Sequence, residues 1–427
     1  MQYIEKQIKK GIKLHLIKTE KFKTNLIAVF LTLPMARKEV TKNALISAVL
    51  RRGCKNIPTS TQISQELEEM YGASFDNGID KIGDNHVLKF YLESINDNYL
   101  LEKGENILEN SIEKLLEIIF EPLIEDGKFK EEYVQQEKEN IKRIIAGKAD
   151  NKASYAYDRC IEEMYKNKPY GLYKYGYTED LEKITAKELY DYYLQLISKC
   201  KIDIIISGNI NDEVIKIVQE NENIKKLEDR EPQFIKSSLE DKAEVKEKEI
   251  IEEMDVTQGK IVIGMDLHLK NKEQKYIALV YNAILGGSAN SKLFQEVREK
   301  ASLAYTAGSI YIRYKSNVFI KCGIEIKNYS QAIDIIKKQL EDMKKGDFSE
   351  EELQNIKKGI ISTIKSIDDE QDTEVTYFFG QELSIQKITI DEYIKKIENV
   401  TKEQIIEVAN TVTINTIYFL RNFRKED

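Results

Sequence analysis

"FKEEYVQQEKENIKRII" begins at Phe129 and "FSEEELQNIKKGIISTI" at Phe348. The two segments resemble each other, and each spaces its apolar side chains as one face of a helix does. A second pair repeats at almost the same interval: "ITAKELYDYY" from Ile184 and "VTKEQIIEVA" from Val400. The offsets are 348 − 129 = 219 and 400 − 184 = 216. Near-equal offsets over two separated matches favour internal duplication over coincidence.

The surrounding pattern has the same order in both halves. In the first, "GIKLHLIKT" (11–19) and "NLIAVFLTLP" (25–34) read as a hairpin-like pair of strands. Helical patterns follow at 42–52 and 61–71, with Thr59, Ser60 and Thr61 as candidate N-caps after Pro58. The strands "ASFDNGID" and "HVLKFYLESI" come next, then helices over 105–120 and 130–165, a helix at "TAKELYDYY" and the strand "KIDIIISGN". The second half supplies strands "EIIEEMDV" and "KIVIGMDLHL", helices near 274–285 and 291–300, and strands "AYTAGSIYIRY" and "NVFIKCGIEI". Helices over 330–344, from 349 onward and at "TKEQIIEVANTV", then the strand "NTIYFLRN", complete it. The expected class is α+β: two similar domains, 1–220 and 249–427, each a mainly antiparallel sheet covered by helices. The charged stretch 221–248 between them reads as a solvated linker.

Composition agrees. A chain of 427 residues exceeds one core, and 41% apolar with 32% charged residues is a globular profile. The net charge of −8, with both signs interspersed, argues against nucleic acid and against an anionic membrane surface as partners. The four cysteines, Cys54, Cys160, Cys200 and Cys322, have no metal-ribbon spacing and read as reduced thiols. No signal-like or membrane-length apolar run occurs, so a cytoplasmic protein is expected.

"LGGSANSKLFQEVREKASLAY" (285–305) lacks the GxxxxGK[ST] pattern of a phosphate loop and follows a helical pattern, not a strand. Gly286 and Gly287 fit a helix C-cap with a turn. "YKNKPYGLYKYGY" reads as a turn-rich loop carrying Tyr165, Tyr170, Tyr173, Tyr175 and Tyr177. Neither a G-x-S-x-G elbow nor a recognised Cys/His spacing supports an independent hydrolase.

The duplicated halves, the 285–305 stretch and "KPYGLYKYGYTEDLEKITAKELYDYY" together resemble the pitrilysin/insulinase family of metalloendopeptidases over essentially the whole chain. That family includes the mitochondrial processing peptidase and its non-catalytic relatives. Within it the chain is most similar to small bacterial members of the type associated with modification of elongation factor P. The resemblance implies a zinc site of inverted HxxEH type, in which two histidines one helical turn apart grip the metal and the glutamate activates its water. Here that motif falls on "ALISAVLRRG": Ala44 and Ala48 occupy the histidine positions and Ser47 the glutamate position. Downstream, Glu137 remains, but Ile144 stands where the third ligand belongs. No metal is expected in this chain.

The resemblance also implies a role for Arg298 in holding a peptide and for the Tyr305 hydroxyl in stabilising an oxyanion, with Gly286, Gly287 and Ser288 in a loop that contacts substrate. The plainer reading pairs Arg298 with a nearby acid and makes Tyr305 the start of a strand. The expected function is the zinc-free subunit of a heterodimeric peptidase. Arg298 and Tyr305 would act with a zinc-holding, HxxEH-bearing homologous partner on peptides in a closed chamber. The alternative is a non-catalytic peptide-binding or scaffold protein, a homodimer included.

Overall fold

The computed structural model describes residues 2–100, 106–239 and 247–423. The first half supplies strands β1 (Gln2–Lys9), β2 (Ile12–Lys18), β3 (Thr24–Pro34), β4 (Ser74–Ile82), β5 (Asn85–Ile95) and β6 (Lys201–Gly208). Its main helices are α1 (Val40–Leu50), α2 (Ser60–Glu69), α3 (Ile107–Phe120), α4 (Glu131–Ala146), α5 (Lys152–Met164) and α6 (Ala186–Lys199). The second half supplies β7 (Lys248–Glu253), β8 (Gly259–Leu267), β9 (Ala304–Ile312), β10 (Asn317–Ile324) and β11 (Val412–Arg421). With them come α7 (Gln274–Asn282), α8 (Tyr329–Lys345), α9 (Glu350–Lys365), α10 (Gln371–Leu383), α11 (Ile390–Glu398) and α12 (Lys402–Ala409).

The first sheet has the order β1-β2-β6-β3-β5-β4 and the second β9-β10-β8-β11-β7. With β1 removed, the first becomes β2-β6-β3-β5-β4, which is the second read from its other end. In each sheet the first strand of the repeat pairs parallel with the last, β2 with β6 and β7 with β11, and the other pairings are antiparallel. The helices obey the sequence offsets: α4 at 131 + 219 is α9 at 350, and α6 at 186 + 216 is α12 at 402. The duplicated α+β architecture is therefore present in topology as well as in sequence.

Two expectations need correction. The strands at 11–19 and 25–34 are not neighbours, because β6 lies between them and β2 forms its hairpin with β1. The reason is burial: every residue of "KIDIIISG" in β6 is buried, as a strand covered on both faces must be, so it takes a central place. The expected helix over 130–165 is broken at 147–151, where a short 3₁₀ turn separates α4 from α5.

That break matters. The chain forms two compact units that are discontinuous in sequence: Met1–Ala146, Leu172–Ile235 and Asp368–Leu383 in one, and Gly147–Gly171, Lys236–Ile367 and Ser384–Asp427 in the other. The segments exchanged are equivalent in the duplication, since α5 at 152 + 219 is α10 at 371. Helix α10 lies on the first sheet, with Phe379 stacked on Phe30 (ring centroids 3.9 Å) and Phe378 on Tyr3 (4.3 Å). Helix α5 lies on the second, with Tyr157 edge-on to Phe319 (5.2 Å). A Cβ built on Gly264 of β8 would come within 2.8 Å of Met164 Sδ, so glycine there permits the close approach of α5.

Of the expected linker 221–248, residues 240–246 lie outside the described residues. In the part up to Ile235 the charged side chains other than Arg230 are exposed, as expected of a solvated run, but the backbone is anchored to the first unit. Lys9 Nζ donates to Leu227 O (2.6 Å), Asn85 Nδ2 donates to Ile235 O (2.6 Å), and Arg230 is buried, with its guanidinium donating to the carbonyls of Ile197 and Glu228.

Candidate functional site

The degenerate metal positions lie in the first unit. Helix α1 carries Ala44, Ser47 and Ala48, and α4, packed against α1, carries Glu137 and Ile144. The place is filled. Ala44 is 4% exposed and Ser47 3% exposed. Ser47 Oγ donates to Gly78 O (3.3 Å), while Asn77 Nδ2 donates to Ser47 O (2.6 Å) and Oγ (3.0 Å). The residue at the catalytic-base position thus pins α1 to the edge strand β4. Glu137 is paired with Arg52, whose Nε lies 2.7 Å from Glu137 Oε1, and Asn140 Nδ2 donates to Glu137 Oε2 (3.0 Å). Ile144 is 43% exposed. Two alanines offer no donor atom, and the remaining carboxylate already has a cation, so these residues do not fit zinc.

The three histidines do not replace the lost ligands. His86 is buried with Nδ1 against Asn43 Nδ2 (3.1 Å), and burial pushes it down to about 4. His268 pairs with Thr413 Oγ1 (2.9 Å). His15 sits between the Tyr3 hydroxyl (2.7 Å) and Asp203 Oδ1 (3.1 Å). Among the described residues, Glu5, His15 and Glu382 bring one ligand atom each within 4.8 Å of one another. A cation already occupies that cluster: Lys13 Nζ is 2.6 Å from Glu5 and 3.1 Å from Glu382. The cysteines offer no nucleophile either. All four are free and buried, and burial pushes their thiols up to about 11 or 12.

Arg298 and Tyr305 lie in the second unit. The stretch 285–305 is not the ordinary helix and turn expected. Ala283–Gly287 and Phe294–Lys300 are both π-helical, a rare form that is frequent at functional sites. Gly286 and Gly287 lie within the first of these segments, not at a left-handed C-cap, and neither has a positive φ. A Cβ on Gly286 would meet the Ser309 backbone nitrogen at 2.6 Å, so this glycine lets the segment lie directly on β9. Ser309 Oγ donates to Asn282 Oδ1 (2.8 Å) and Ser288 Oγ donates to Ala283 O (3.1 Å), closing the turn.

Arg298 lies on the second π segment with its side chain 45% exposed. Its guanidinium rests over the Phe294 ring (4.6 Å), and its acidic neighbour Glu299 is 3.6 Å away. Leu303 N donates to Val297 O (3.1 Å), which ties the start of β9 to this segment, and Ser302 between them has φ 53°. Tyr305 is 57% exposed. In the β9–β10 register Ala304 faces Ile324 and Thr306 faces Gly323, leaving Tyr305 as the extra residue of a bulge. A bulge on an edge strand re-aims the side chain it carries. Of the loop tyrosines, Tyr165 and Tyr170 are core residues of this unit: both are buried, and the Tyr165 hydroxyl donates to Asn317 Oδ1.

Arg52 and Asn77 escaped the sequence reading. Arg52 directly precedes Gly53, but nothing in local spacing joins it to Glu137, 85 positions on (137 − 52).

Comparison with known proteins adds the following. Residues 183–360 match the family described as peptidase M16 inactive domain. The probable inactive metalloprotease YmfF of Bacillus subtilis is 37% identical over 412 residues, covering 96% of each chain. The solved structure of a conserved protein from Enterococcus faecalis V583 superposes with a TM-score of 0.88 at 28% identity over 100% of both chains. A peptidase M16 inactive domain from Pseudomonas fluorescens has the same fold (TM-score 0.79, 15% identity, 100% of both chains). Among the described residues, no helix is long and apolar enough to cross a membrane.

Proposed function

The chain belongs to the peptidase M16 family, and from that premise we propose that it is the zinc-free subunit of a two-chain peptidase. It lends Arg298 and Tyr305 to a site whose zinc and HxxEH motif belong to a homologous partner. The carrying observation is a contrast. Of the positions that should hold metal, Ala44 and Ser47 are buried in packed side chains and Glu137 is paired with Arg52, whereas Arg298 and Tyr305 stand open to solvent. An exposed arginine with only its sequence neighbour for an acid among the described residues retains donors for a carboxylate or a peptide carbonyl. A phenol on an edge-strand bulge can place a hydrogen-bond donor where charge develops on a scissile carbonyl oxygen. Of the Gly286–Ser288 turn, beside the same segment, Gly287 and Ser288 are part of the surface offered to the peptide, while the buried Gly286 seats the turn on β9.

The test is reconstitution with the HxxEH-bearing homologue from the same organism. The expected result is peptide hydrolysis by the pair and by neither chain alone, with one zinc per pair. Arg298→Ala and Tyr305→Phe should slow turnover without loosening assembly. Unchanged turnover in both variants would overturn the reading and leave a scaffold role.

A further inference from the structure

A separate feature of the second unit does not depend on that reading. Lys275, the second residue of α7, is 6% exposed. Among the described residues its ammonium has one hydrogen-bond contact, the Ser237 hydroxyl at a long 3.4 Å. Ser237 Oγ also accepts from Ile385 N (3.1 Å), and the adjoining Ser384 Oγ accepts from Arg313 Nη2 (3.0 Å). Two cations are thus joined through Ser237 and the Ser384–Ile385 backbone. Tyr276, Tyr311 and Tyr393 lie near Arg313, which is also hydrogen-bonded to Tyr393, and among the described residues the buried Tyr311 hydroxyl has no close hydrogen-bond partner.

Among the described residues no carboxylate pairs with Lys275 or Arg313. The nearby acids are committed elsewhere: Glu273 to Lys396, and Glu392 to the Thr389 N-cap. Other buried lysines are held differently. Lys201 meets Asp203 and Glu382, and Lys357 donates to Glu398 O (2.8 Å). Buried charges are ordinarily paired, so two neighbouring cations with no acid among the described residues amount to a site short of negative charge there. Burial and the neighbouring Arg313 push Lys275 down to about 8, as expected when no anion faces it.

We propose that Lys275 and Arg313, with the hydroxyls of Ser237, Ser384 and Tyr311, form a binding site for a small phosphate-type dianion. Two positive charges match a dianion, whereas one carboxylate would leave a buried cation uncompensated. A guanidinium fork, an ammonium and three hydroxyls give enough donors for tetrahedral oxygens.

The experiment is calorimetric titration of the full chain with inorganic phosphate, then with acetate at matched ionic strength, each also on Lys275→Met and Arg313→Gln. Phosphate is expected to bind saturably at about one per chain, with acetate far weaker. At pH 8, binding should take up protons as Lys275 returns toward its ordinary range. Lys275→Met should weaken phosphate by about tenfold or more, the scale of one charge-assisted hydrogen bond, and without phosphate it should melt no lower than the parent. If Arg313→Gln does not fold, Lys275→Met decides alone. Absence of saturable phosphate binding, equal binding of acetate, or undiminished affinity in Lys275→Met overturns the assignment.

Discussion

Arg52 Nε lies 2.7 Å from Glu137 Oε1, one helix end reaching across to the middle of α4. Glu137 is the carboxylate that survives from the expected metal site, and its side chain is only 11% exposed. With no metal to neutralise it, a negative charge between packed helices needs another cation, and Arg52 supplies one. Removing one partner of such a pair costs more than removing both, because the other charge stays buried. Arg52→Met should therefore destabilise the protein by about 1–3 kcal/mol. The double variant Arg52→Met/Glu137→Leu should recover most of that loss in urea unfolding. Purely additive effects would show that the pair is not coupled.

Restoring the ligands alone should fail. Ala44 is 4% exposed against neighbouring core side chains, and histidine there adds volume that the packing must yield to at about 1–3 kcal/mol. Ser47→Glu also breaks the tie to Asn77 and Gly78. The variant Ala44→His/Ser47→Glu/Ala48→His/Ile144→Glu is expected to melt lower than the parent and to hold well under one zinc by elemental analysis. One tightly held zinc per chain would show that packing does not close the site.

Arg298→Ala and Tyr305→Phe separate a functional role from a structural one. Both side chains are about half exposed, so each change should shift unfolding free energy by no more than about 0.5 kcal/mol. In the reconstituted pair, loss of an oxyanion donor at Tyr305 should cost about 10²- to 10³-fold in kcat. Arg298→Ala should act mainly on KM if it holds substrate equally in ground and transition states. A drop in stability with no kinetic effect would favour the strand-start reading of Tyr305.

The fold was largely legible because duplication leaves two copies of each signal: α4 and α9, and α6 and α12, could be aligned without knowing either sheet. What escaped were relationships at long sequence separation. The insertion of β6 between β2 and β3 depends on pairing partners almost 200 positions apart, which alternation within one strand does not encode. The exchange of α5 and α10 was hidden because the amphipathic face of α5 marks it only as a sheet-covering helix, and α10, buried along most of its length, has no one-sided pattern to say which sheet it covers. At the candidate site, the missing ligands at Ala44, Ser47 and Ala48 could be named only through the family resemblance, by laying its motif on this stretch. The π-helical form of 294–300 could not, because its apolar spacing resembles that of an α-helix. The bulge at Tyr305 was equally invisible, since it appears only in the register with β10.

Gly286 and Gly287 distinguish close packing from loop flexibility. A Cβ at Gly286 would strike the backbone nitrogen of Ser309 at 2.6 Å, whereas at Gly287 the nearest atom is the Asn282 side-chain Nδ2 at 2.7 Å. Backbone cannot step aside cheaply, but an amide side chain can turn. Gly286→Ala should therefore destabilise by about 2–3 kcal/mol and Gly287→Ala by under about 1 kcal/mol. Equal, small effects in thermal unfolding would mean that the turn carries no packing constraint and serves as a mobile loop.

Glu374 makes the seating of α10 sensitive to pH. It is 1% exposed and accepts from Ser207 Oγ (3.0 Å), and burial pushes its carboxyl up to about 7. Asp368 raises it further, and Lys21, itself paired with Asp368 (2.7 Å), opposes that. Between the ordinary glutamate value near 4.5 and about 7, the folded state binds more proton than the unfolded one, so stability from this group falls as pH rises through that window. The difference accumulates to the order of 2–3 kcal/mol by pH 8. His86, pushed down to about 4, acts oppositely: its contribution is present above about 6.5 and lost as pH falls toward 4. The wild-type profile mixes the two, so the decisive quantity is the difference between wild type and Glu374→Gln. That variant should gain stability relative to wild type steadily from pH 5 to pH 8, as measured by urea unfolding at several pH values. A constant difference across that range would mean that Glu374 titrates at its ordinary value and that α10 is seated independently of its proton.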